Sequence, residues 1–339
     1  MAIAKTAKTA KKARNGKKLK IVCLGGGNLM PKVVLEPLKK YPVELTGITS
    51  MVDSGGSAGQ FQQRFGVLPP GDIRRHVLAL SNAPKWKKQL WAFRFGDESF
   101  GQGHKGHVLS NAFIACLEMN LKSHRKAIAI VSEFMELGTN RALPMIIDKT
   151  QIFAELENGD IIEGEREIEL TENHDAKLGI KRIFQKTETK LFAESKKAIM
   201  EADLIIIGPG DLYSSIAPCF LAKDAVETFK KAKGKKILVS NTVARNGETH
   251  GFSIAKFASE VEKYMGSSLD YVLYNNKQIN KTILENYRKS HPEIGEELSI
   301  GNDLSKDKFI GADILRKDEF AYDPKKVIKE IFKLADYRK

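Results

Sequence analysis

The chain has 339 residues, of which 42% are apolar, and its formal net charge is +13. This length and composition are typical of a soluble globular protein with ample core, in one large domain or two smaller ones. No stretch approaches the roughly 18 uninterrupted apolar residues that a membrane span needs, so the sequence argues against a membrane protein.

The excess positive charge is concentrated at the amino terminus. The first 20 residues contain eight lysines and arginines and no acid. Ala, Lys and Thr repeat there without large apolar residues, which predicts a disordered basic tail over residues 1–18 and lacks the apolar core of a secretory signal. Such a tail could bind nucleic acid weakly and in a salt-dependent way, but we favour a solvated tail over a nucleic-acid interface.

The three cysteines predict a reducing environment. Cys23, Cys116 and Cys219 are odd in number, far apart and embedded in apolar sequence. This pattern favours small core residues over a disulfide or zinc framework, and it leads us to expect a cytoplasmic protein.

The first predicted element is a buried strand, LKIVCL, that runs into three glycines at 25–27. Glycines permit positive φ and let backbone N–H groups approach a ligand, and Pro31 is compatible with the first turn of a following helix that reaches about Lys40. An anion would suit the positive end of that helix. Leu29 and Met30 break the dinucleotide fingerprint, so a tight turn without a ligand remains an alternative.

A second predicted strand, residues 44–52, ends in Asp53 and a run of glycines and serines. The carboxyl ends of neighbouring parallel strands form the crevice in which ligands bind. The Asp53 carboxylate could accept from a ribose hydroxyl or hold Mg²⁺ against a phosphate. The alternative is a helix cap and turn without a ligand.

The third piece of this region is VLPPGDIR, residues 67–74. Two prolines and a glycine set a turn, and we expect Asp72 to cap a helix that carries Arg74 in its first turn. Arg74 could clamp a phosphate with its planar guanidinium, or it could be solvated or paired with an acid.

Helices are predicted next, over residues 73–82, 86–95 and 123–137, with Trp86 and Trp91 packed in the core. A glycine-rich loop at 96–106 carries His104. His107 and Asn111 are four residues apart, so on a helix they would share one face and could both address a ligand. His107 could equally be a capping or packing residue.

The middle of the chain predicts a small antiparallel insert over residues 149–189. Residues 151–157 and 160–170 form a hairpin around Asn158 and Gly159, and residues 180–186 add a third strand. The acids of this insert argue against a nucleotide pocket within it. Residues 141–144 are expected to form a turn before it.

The parallel sheet is predicted to resume at Asp203, where LIIIGPG again runs from a buried strand into glycines. Strands follow at 235–240 and 270–274, with Asn241 and Asn275 at their ends, and a last strand lies within 297–315 before a lysine-rich terminal helix. Glu248, in the loop near 245–251, could bind a sugar hydroxyl, or it could be solvated or salt-bridged.

These elements predict an α/β fold: a three-layer, Rossmann-like, mostly parallel sheet with helices on both faces and a small antiparallel β insert. Residues 19–339 form one nucleotide-binding domain, with the insert at about 149–189. Strand-end loops would surround a nucleotide diphosphate.

Several motifs, in order, resemble a known family. They are LGGGNLM, TSMVDSGGSAG, LPPGDIRRHVLAL, GHVLSNAFIACL, IIIGPGDLYSSIAP, SNTVARNGETHGF and DYVLYNN. Together they are similar to the family that joins archaeal 2-phospho-L-lactate transferase to the bacterial gluconeogenesis factor. The bacterial branch is the more similar one.

The resemblance implies two functions that stay open at this point. The bacterial branch implies a regulatory protein that binds a nucleotide sugar such as UDP-N-acetylglucosamine and links carbon metabolism to cell-wall growth and cell shape. The archaeal branch implies a Mg²⁺-dependent transferase, which joins a phospholactate or phosphoenolpyruvate unit from a guanylyl donor to a deazaflavin precursor and releases GMP. The family also implies a homodimer, with no cofactor certain and Mg²⁺ possible.

The residues that match the family's site motifs are the candidate ligand-binding residues, and no catalytic residue is assigned. They are Gly25, Gly26, Gly27, Asn28, Asp53, Ser54, Gly55, Gly56, Ser57, Gly59, Asp72, Arg74, His107, Asn111, Gly208, Pro209, Gly210, Leu212, Tyr213, Ser215, Asn241, Glu248, Thr249 and Asn275, with Asp53 as the candidate metal ligand.

The chain also departs from the family pattern in or beside these loops. Ser54 stands where many relatives have a second aspartate, Asp211 where they have serine, and Arg245 where they have glutamine. The loss of an acid at Ser54 weakens metal-assisted transfer more than simple binding, so we favour the binding protein over the enzyme. Asn28 and Arg75 are further departures, and Tyr322 replaces a basic residue or histidine.

Overall fold

The computed structural model describes residues 18–96, 106–169, 178–301, 304–317, 319 and 321–336. The predicted basic tail, apart from its last residue, and the predicted loop residue His104 lie outside the described residues. Within the described ranges, no helix combines the length and apolarity that crossing a bilayer requires.

The centre of the molecule is a seven-stranded sheet in which all neighbouring strands are parallel. The strands, in chain order, are β1 Leu19–Leu24, β2 Val43–Thr49, β3 Arg141–Pro144, β4 Ile152–Leu156, β5 Ile161–Glu163, β6 Ile180–Gln185, β7 Leu204–Ile207, β8 Lys235–Val239, β9 Val243–Arg245, β10 Tyr271–Asn275, β11 Ile294–Glu297 and β12 Phe309–Ala312. The large sheet has the order β12-β10-β8-β7-β1-β2-β3, and the predicted fold class is confirmed.

Helices surround this sheet. They are α1 (π-helical over Met30–Leu35 and α-helical over Glu36–Leu38), α2 Gly56–Phe65, α3 Gly71–Leu80, α4 Lys85–Ala92, α5 Leu109–Leu121, α6 His124–Phe134, α7 Glu165–Glu169, α8 Ala193–Glu201, α9 Ala225–Lys231, α10 Ile254–Met265, α11 Lys281–Ser290 and α12 Pro324–Leu334. A π-helical turn, Leu212–Ile216, and a 3₁₀ turn, Ala217–Phe220, follow β7.

The strand order explains why the glycine loops meet. From β1 the chain proceeds outward through β2 and β3, and it then returns to place β7 on the other side of β1. This reversal is a topological switch point, outside which the loops after the two strands diverge and leave a crevice. The two strands beside it are buried on both faces, β7 along its whole length and β1 over its last four residues.

The small antiparallel sheet, in the order β5-β4-β6, confirms the predicted insert and its Asn158-Gly159 turn. The predicted strand over residues 160–170 is wrong beyond Glu163. Gly164 has a φ of +100°, which ends the strand, and the following Glu-Arg-Glu-Ile-Glu forms the short helix α7. Ile168 anchors that helix because its side chain is fully buried.

Other predictions need correction at the edges. Residues 141–144, predicted as a turn, form the edge strand β3, where Pro144 is tolerated because it lies at the end of an outer strand. Residues 294–297 pair antiparallel with β9 in a separate small sheet, and the last strand of the large sheet covers only Phe309–Ala312.

One of the two tryptophans and two of the three cysteines are core residues. Trp91 is 3% exposed, whereas Trp86 is 60% exposed, so the prediction that both tryptophans pack is wrong for Trp86. Cys23 and Cys219 are buried free thiols whose pKa is raised by that burial, but Cys116 is exposed. Cys116 lies on the outer face of α5. The sequence did not indicate this exposure, because that helix is largely apolar.

Candidate functional site

The candidate site lies at the carboxyl ends of β1, β2, β7 and β8. The glycine loops there are tied to neighbouring strands: the Gly25 N–H donates to the Ile48 carbonyl at 3.2 Å, and the Gly208 N–H donates to the Leu24 carbonyl at 2.9 Å. Gly25 and Gly27 have positive φ, as the sequence predicted for a tight turn. These bonds fix the loop backbones on both sides of the switch point.

Asp72 supports the first glycine loop from behind. Its carboxylate accepts from the Gly27 N–H at 2.9 Å and from the Thr49 hydroxyl at 3.1 Å. A side chain at Gly26 would collide with the same carboxylate, so only glycine fits there. The prediction that Asp72 caps a helix is therefore wrong: Asp72 lies in the first turn of α3, but its side chain turns away to the loop.

Asp53 lies beside the same loop and faces Arg75. Its Oδ1 accepts from the Gly55 N–H at 3.0 Å, and its Oδ2 lies 3.9 Å from the Arg75 Nη1. The same Nη1 donates to the Asp72 Oδ1 at 2.5 Å. Arg75 therefore bridges both aspartates, a role that the sequence analysis did not assign to it.

Arg74 has a different environment from its neighbour. Its backbone carbonyl accepts from the Trp91 indole at 3.0 Å, its Nε has no hydrogen-bond partner among the described residues, and none of the ion pairs in that part of the chain includes it. Burial, together with the positive charges of Arg75 and Arg94, lowers the pKa of Arg74 to about 10. An anion beside Arg74 would relieve this penalty.

The insert adds carboxylates to this edge of the sheet. The Ser54 N–H donates to the Glu165 carboxylate at 3.4 Å, and the Ser54 hydroxyl accepts from the Arg166 N–H at 3.0 Å. Ser54, a predicted ligand-binding residue, thus joins the insert to the crevice.

The electrostatics of this group favour partial protonation. Burial, followed by the negative charge of Asp72, raises the pKa of Asp53 to about 6. Burial and the charge of Asp53 raise the pKa of Glu165 well above its usual value. We call Arg75, Asp53, Asp72 and Glu165 the Arg75 cluster; its carboxylates outnumber its single arginine.

Helix α2 begins at the crevice and carries Ser57 in its first turn. The Asn111 amide and the Val108 N–H both donate to the Ser57 oxygen, at 3.0 and 3.4 Å. Its hydroxyl hydrogen is then left for the His107 Nδ1, 3.0 Å away. His107 precedes α5, so the predicted shared helix face is wrong, and the two side chains converge at Ser57 instead.

This arrangement keeps His107 neutral. Burial, followed by the charges of Arg64 and Arg94, lowers the pKa of His107, and a neutral Nδ1 can accept from Ser57. The Asn111 carbonyl oxygen is buried without a hydrogen-bond partner among the described residues. The NH2 group of Asn111 therefore orients Ser57, while the Asn111 carbonyl oxygen accepts no hydrogen bond from the described residues.

A second group of charges lies across the switch point. The Arg245 guanidinium pairs with Asp211 and with Glu169 of α7, both at 3.0 Å, and its Nε lies 3.4 Å from Glu248. We call Arg245, Asp211, Glu169 and Glu248 the Arg245 cluster. Arg245 and Asp211, which are both departures from the family pattern, pair with each other. The positive charge of Arg245 therefore balances the extra carboxylate of Asp211.

Two predicted ligand-binding residues are used internally by this cluster. Glu248 is completely buried and accepts from the Tyr213 N–H at 3.1 Å, and Thr249 accepts from the Arg245 N–H at 2.9 Å. Burial, followed by the charge of Asp211, raises the pKa of Glu248 to about 8. Both side chains therefore make structural contacts within the cluster, and ligand binding by Glu248 and Thr249 stays a prediction.

The remaining predicted residues divide by position. The Gly210 N–H donates to the Asn241 side chain at 3.1 Å, and the Ser215 side chain lies across from Gly27, so these residues face each other over the switch point. Leu212 and Tyr213 are core residues that contribute only backbone. Asn275 is the last residue of β10, three strands from β1 and thus roughly 14 Å away, and its side chain donates to the Lys277 carbonyl.

The residues of the crevice provide few ligands for Mg²⁺. Among the described residues, no three His, Cys, Asp or Glu side chains form a group that could hold a metal ion. Asp53 offers one carboxylate oxygen near Arg75, so Mg²⁺ would need most of its ligands from phosphates and water, as this ion often does. The site thus fits Mg²⁺ only together with a phosphorylated ligand.

Sequence reasoning missed Arg75, Glu165 and Glu169 as site residues. Asp72 and Arg75 are three apart on a helix, a spacing that signals contact. Glu165 and Glu169 are four apart, which is the corresponding signal for two acids on one helix face.

Comparison with known proteins identifies the family and the fold of this chain. Residues 21–318 match the family model described as 2-phospho-L-lactate transferase CofD. The gluconeogenesis factor of Listeria innocua is 36% identical over 272 residues, which are 79% of this chain and 80% of the relative. The gluconeogenesis factor of Bacillus subtilis is 31% identical, covering 91% of this chain and 93% of the relative.

A solved structure is also similar. The crystal structure of a Bacillus halodurans protein superposes with a TM-score of 0.84 at 29% sequence identity, covering 93% of this chain and all of that chain. The family match spans both glycine loops and both charge clusters. The chain therefore belongs to the CofD family of 2-phospho-L-lactate transferases and gluconeogenesis factors.

Proposed function

We propose that this protein is a regulatory protein that binds a nucleotide sugar of the UDP-sugar class in the crevice at the switch point. The observation that carries the proposal is Arg74. Its guanidinium is largely buried beside Asp53 and Arg75, and it forms no ion pair within the described part of the chain. A diphosphate would give Arg74 a direct ion pair, in addition to the more distant charges of Asp53 and Asp72.

The backbone around Arg74 supports the same ligand. The glycine loop after β1 and the amino end of α2 both meet the crevice, and helix amino ends attract phosphate through their unpaired N–H groups. Relatives named gluconeogenesis factor support a place in carbon metabolism. We extend this to control of cell shape, which is part of the same proposal.

Ser54 supports binding over transfer. A second acid beside Asp53 would give Mg²⁺ two adjacent carboxylates, but the Ser54 hydroxyl instead accepts from the insert helix. The serine therefore contacts the insert helix and offers no negative charge to a metal.

The second candidate is a Mg²⁺-dependent transferase of the phospholactate or phosphoenolpyruvate type. The family model favours it, since its description names 2-phospho-L-lactate transferase. In this reading Asp53 would hold Mg²⁺ with the ligand's phosphates, and Arg74 and Arg75 would stabilise negative charge on them. Bound Mg²⁺ would polarise a phosphate oxygen there.

The test is calorimetric titration with UDP-N-acetylglucosamine and, separately, with GTP and GDP, each with Mg²⁺ and with a chelator. We expect micromolar binding of the UDP-sugar that survives chelation. Arg74→Met should weaken it by about tenfold or more, because charge-assisted bonds to phosphate are lost. Arg316→Met, at an exposed arginine far along the chain, is the matched control.

Two results would redirect the proposal. Guanine-nucleotide binding that requires Mg²⁺ would favour the transferase. If none of the three ligands binds, the loops of this chain recognise a different ligand. Retained binding after removal of residues 1–18 would exclude the basic tail as the binding element.

A further inference from the structure

A second concave site lies away from the crevice. It is a cleft of about 500 Å³ between the carboxyl-terminal ends of α2 and α5, the start of α6 and the chain that follows β3. This volume is within the range of sites that hold small ligands or anchoring side chains. None of the candidate ligand-binding residues lines it.

The cleft exposes large apolar side chains. Phe65 at the end of α2 is 50% exposed, Met119 in the last turn of α5 is 48% exposed, and Ile147 after β3 is 39% exposed. They come from three separate segments and share one concave surface. Such a convergence differs from the scattered single apolar residues that are normal on protein surfaces.

The charges around these side chains are predominantly positive. Lys122 and Lys149 line the cleft, and within the described ranges neither forms an ion pair. Arg125 lines it too but pairs with Glu194 at 3.1 Å.

The one acid of the cleft is already occupied. Glu118 accepts from the Leu68 N–H at 3.1 Å with one oxygen and lies 2.7 Å from the His124 Nδ1 with the other. It therefore neutralises neither lysine. The surface offers an apolar floor and two unpaired positive charges.

We propose that this cleft docks an acidic segment of a partner protein, with an apolar side chain anchored among Phe65, Met119 and Ile147. Acids flanking the anchor would meet Lys122 and Lys149. A second copy of this chain is a poorer occupant, because an isologous contact would bring the same lysines together. The proposal does not depend on what the crevice binds.

The test uses the full chain and a fluorescein-labelled peptide of sequence Glu-Asp-Phe-Glu-Leu-Asp. The matched peptide carries Lys in place of every acid. Fluorescence anisotropy should detect binding of the acidic peptide only, and added salt should weaken it. Lys122→Glu combined with Lys149→Glu should reduce the affinity by about tenfold.

The control variant combines Lys233→Glu with Lys329→Glu, which changes the net charge equally at exposed positions outside the cleft. Thermal melts of both double variants check that the fold is intact. A benzophenone in place of the peptide's Phe should cross-link to Phe65, Met119 or Ile147, as mapped by mass spectrometry.

Four results would overturn the proposal: no binding of the acidic peptide, equal binding of the lysine peptide, equal losses in the two double variants, or cross-links outside the cleft. Binding to phosphatidylserine vesicles without peptide binding would assign the surface to a membrane. Self-association abolished by Met119→Glu would assign it to a second copy.

Discussion

The two charge clusters on either side of the switch point have the same composition and different accessibility. Each combines one arginine with three carboxylates, and each takes one carboxylate from α7 of the insert, Glu165 or Glu169. In the Arg75 cluster the arginine side chain is 25% exposed, whereas in the Arg245 cluster it is 12% exposed and Glu248 is completely buried.

Because of this difference, we assign ligand binding to the Arg75 cluster and a structural role to the Arg245 cluster. The arginine of the Arg245 cluster has close partners in all three acids, so it connects the loop after β9 to the insert and to the π-helical turn. The Arg75 cluster leaves Asp53 loosely paired and lies next to Arg74, which has no acidic partner of its own among the described residues. A ligand can alter the Arg75 cluster without exposing the core.

The largest expected effect is the loss of Arg245. Arg245→Met should lower the free energy of unfolding by about 3–5 kcal/mol, because Asp211 and Glu169 lose the largely buried guanidinium that pairs with both of them. Arg75→Met should cost about 1–2 kcal/mol, since the Arg75 side chain is the more exposed of the two arginines and Asp53 can take up a proton. Urea denaturation at neutral pH measures both, and equal losses would contradict the division between the clusters.

The next effect is a pH dependence from Glu248. Its pKa of about 8 in the folded protein exceeds the usual 4.5, so the folded state retains a proton that the unfolded state releases. Stability should therefore fall as pH rises between those two values, on the order of 3 kcal/mol from about pH 5 to about pH 8.

Glu248→Gln should remove that slope when urea denaturation is repeated across this range. Glu227→Gln, at a surface glutamate paired with Lys231, is the matched control and should leave the slope in place. An unchanged slope in Glu248→Gln would show that Glu248 is not the group that titrates.

A smaller effect is expected from Asp72→Asn. Asn keeps only one of the two acceptor oxygens that receive the Gly27 N–H and the Thr49 hydroxyl, and it carries no charge for Arg75, so stability should fall by about 1–3 kcal/mol. The Gly27 loop also loses part of its support, and UDP-N-acetylglucosamine should bind more weakly in calorimetry. Unchanged affinity despite lower stability would mean that the Gly27 loop does not contribute to ligand binding.

The smallest effect on stability is expected from Glu165→Gln, within about 1 kcal/mol at neutral pH. Burial and the charges of Asp72 and Glu169 raise the pKa of Asp53, so this change should leave that pKa at about 6. An NMR titration of the aspartate carboxyl carbons measures it. A lower pKa in the variant would mean that the charge of Glu165 also acts on Asp53.

The sequence predicted the sheet and the crevice well because both depend on local patterns. Short apolar runs mark buried parallel strands, and β1, β2, β7 and β8 were all identified in this way, with glycines directly after β1 and β7. The positions of the loops then follow from the parallel arrangement, without knowledge of any side-chain contact.

The side-chain roles were harder to predict because they depend on distant partners. Glu248 looks like an exposed loop glutamate until the Tyr213 N–H and Arg245 enclose it. Arg74 and Arg75 are adjacent, and only the orientation of α3 decides which one meets Asp53. The acids of α7 were hidden by a predicted strand, whose alternation would have pointed them elsewhere.

The bond between Ser57 and Asn111 has a consequence for communication within the molecule. It joins the first turns of α2 and α5 at the crevice, and the opposite ends of the same helices border the cleft with Phe65 and Met119. A ligand that shifts this helix pair would change the affinity of the cleft. By thermodynamic reciprocity, an occupant of the cleft would then change the affinity of the crevice by the same factor.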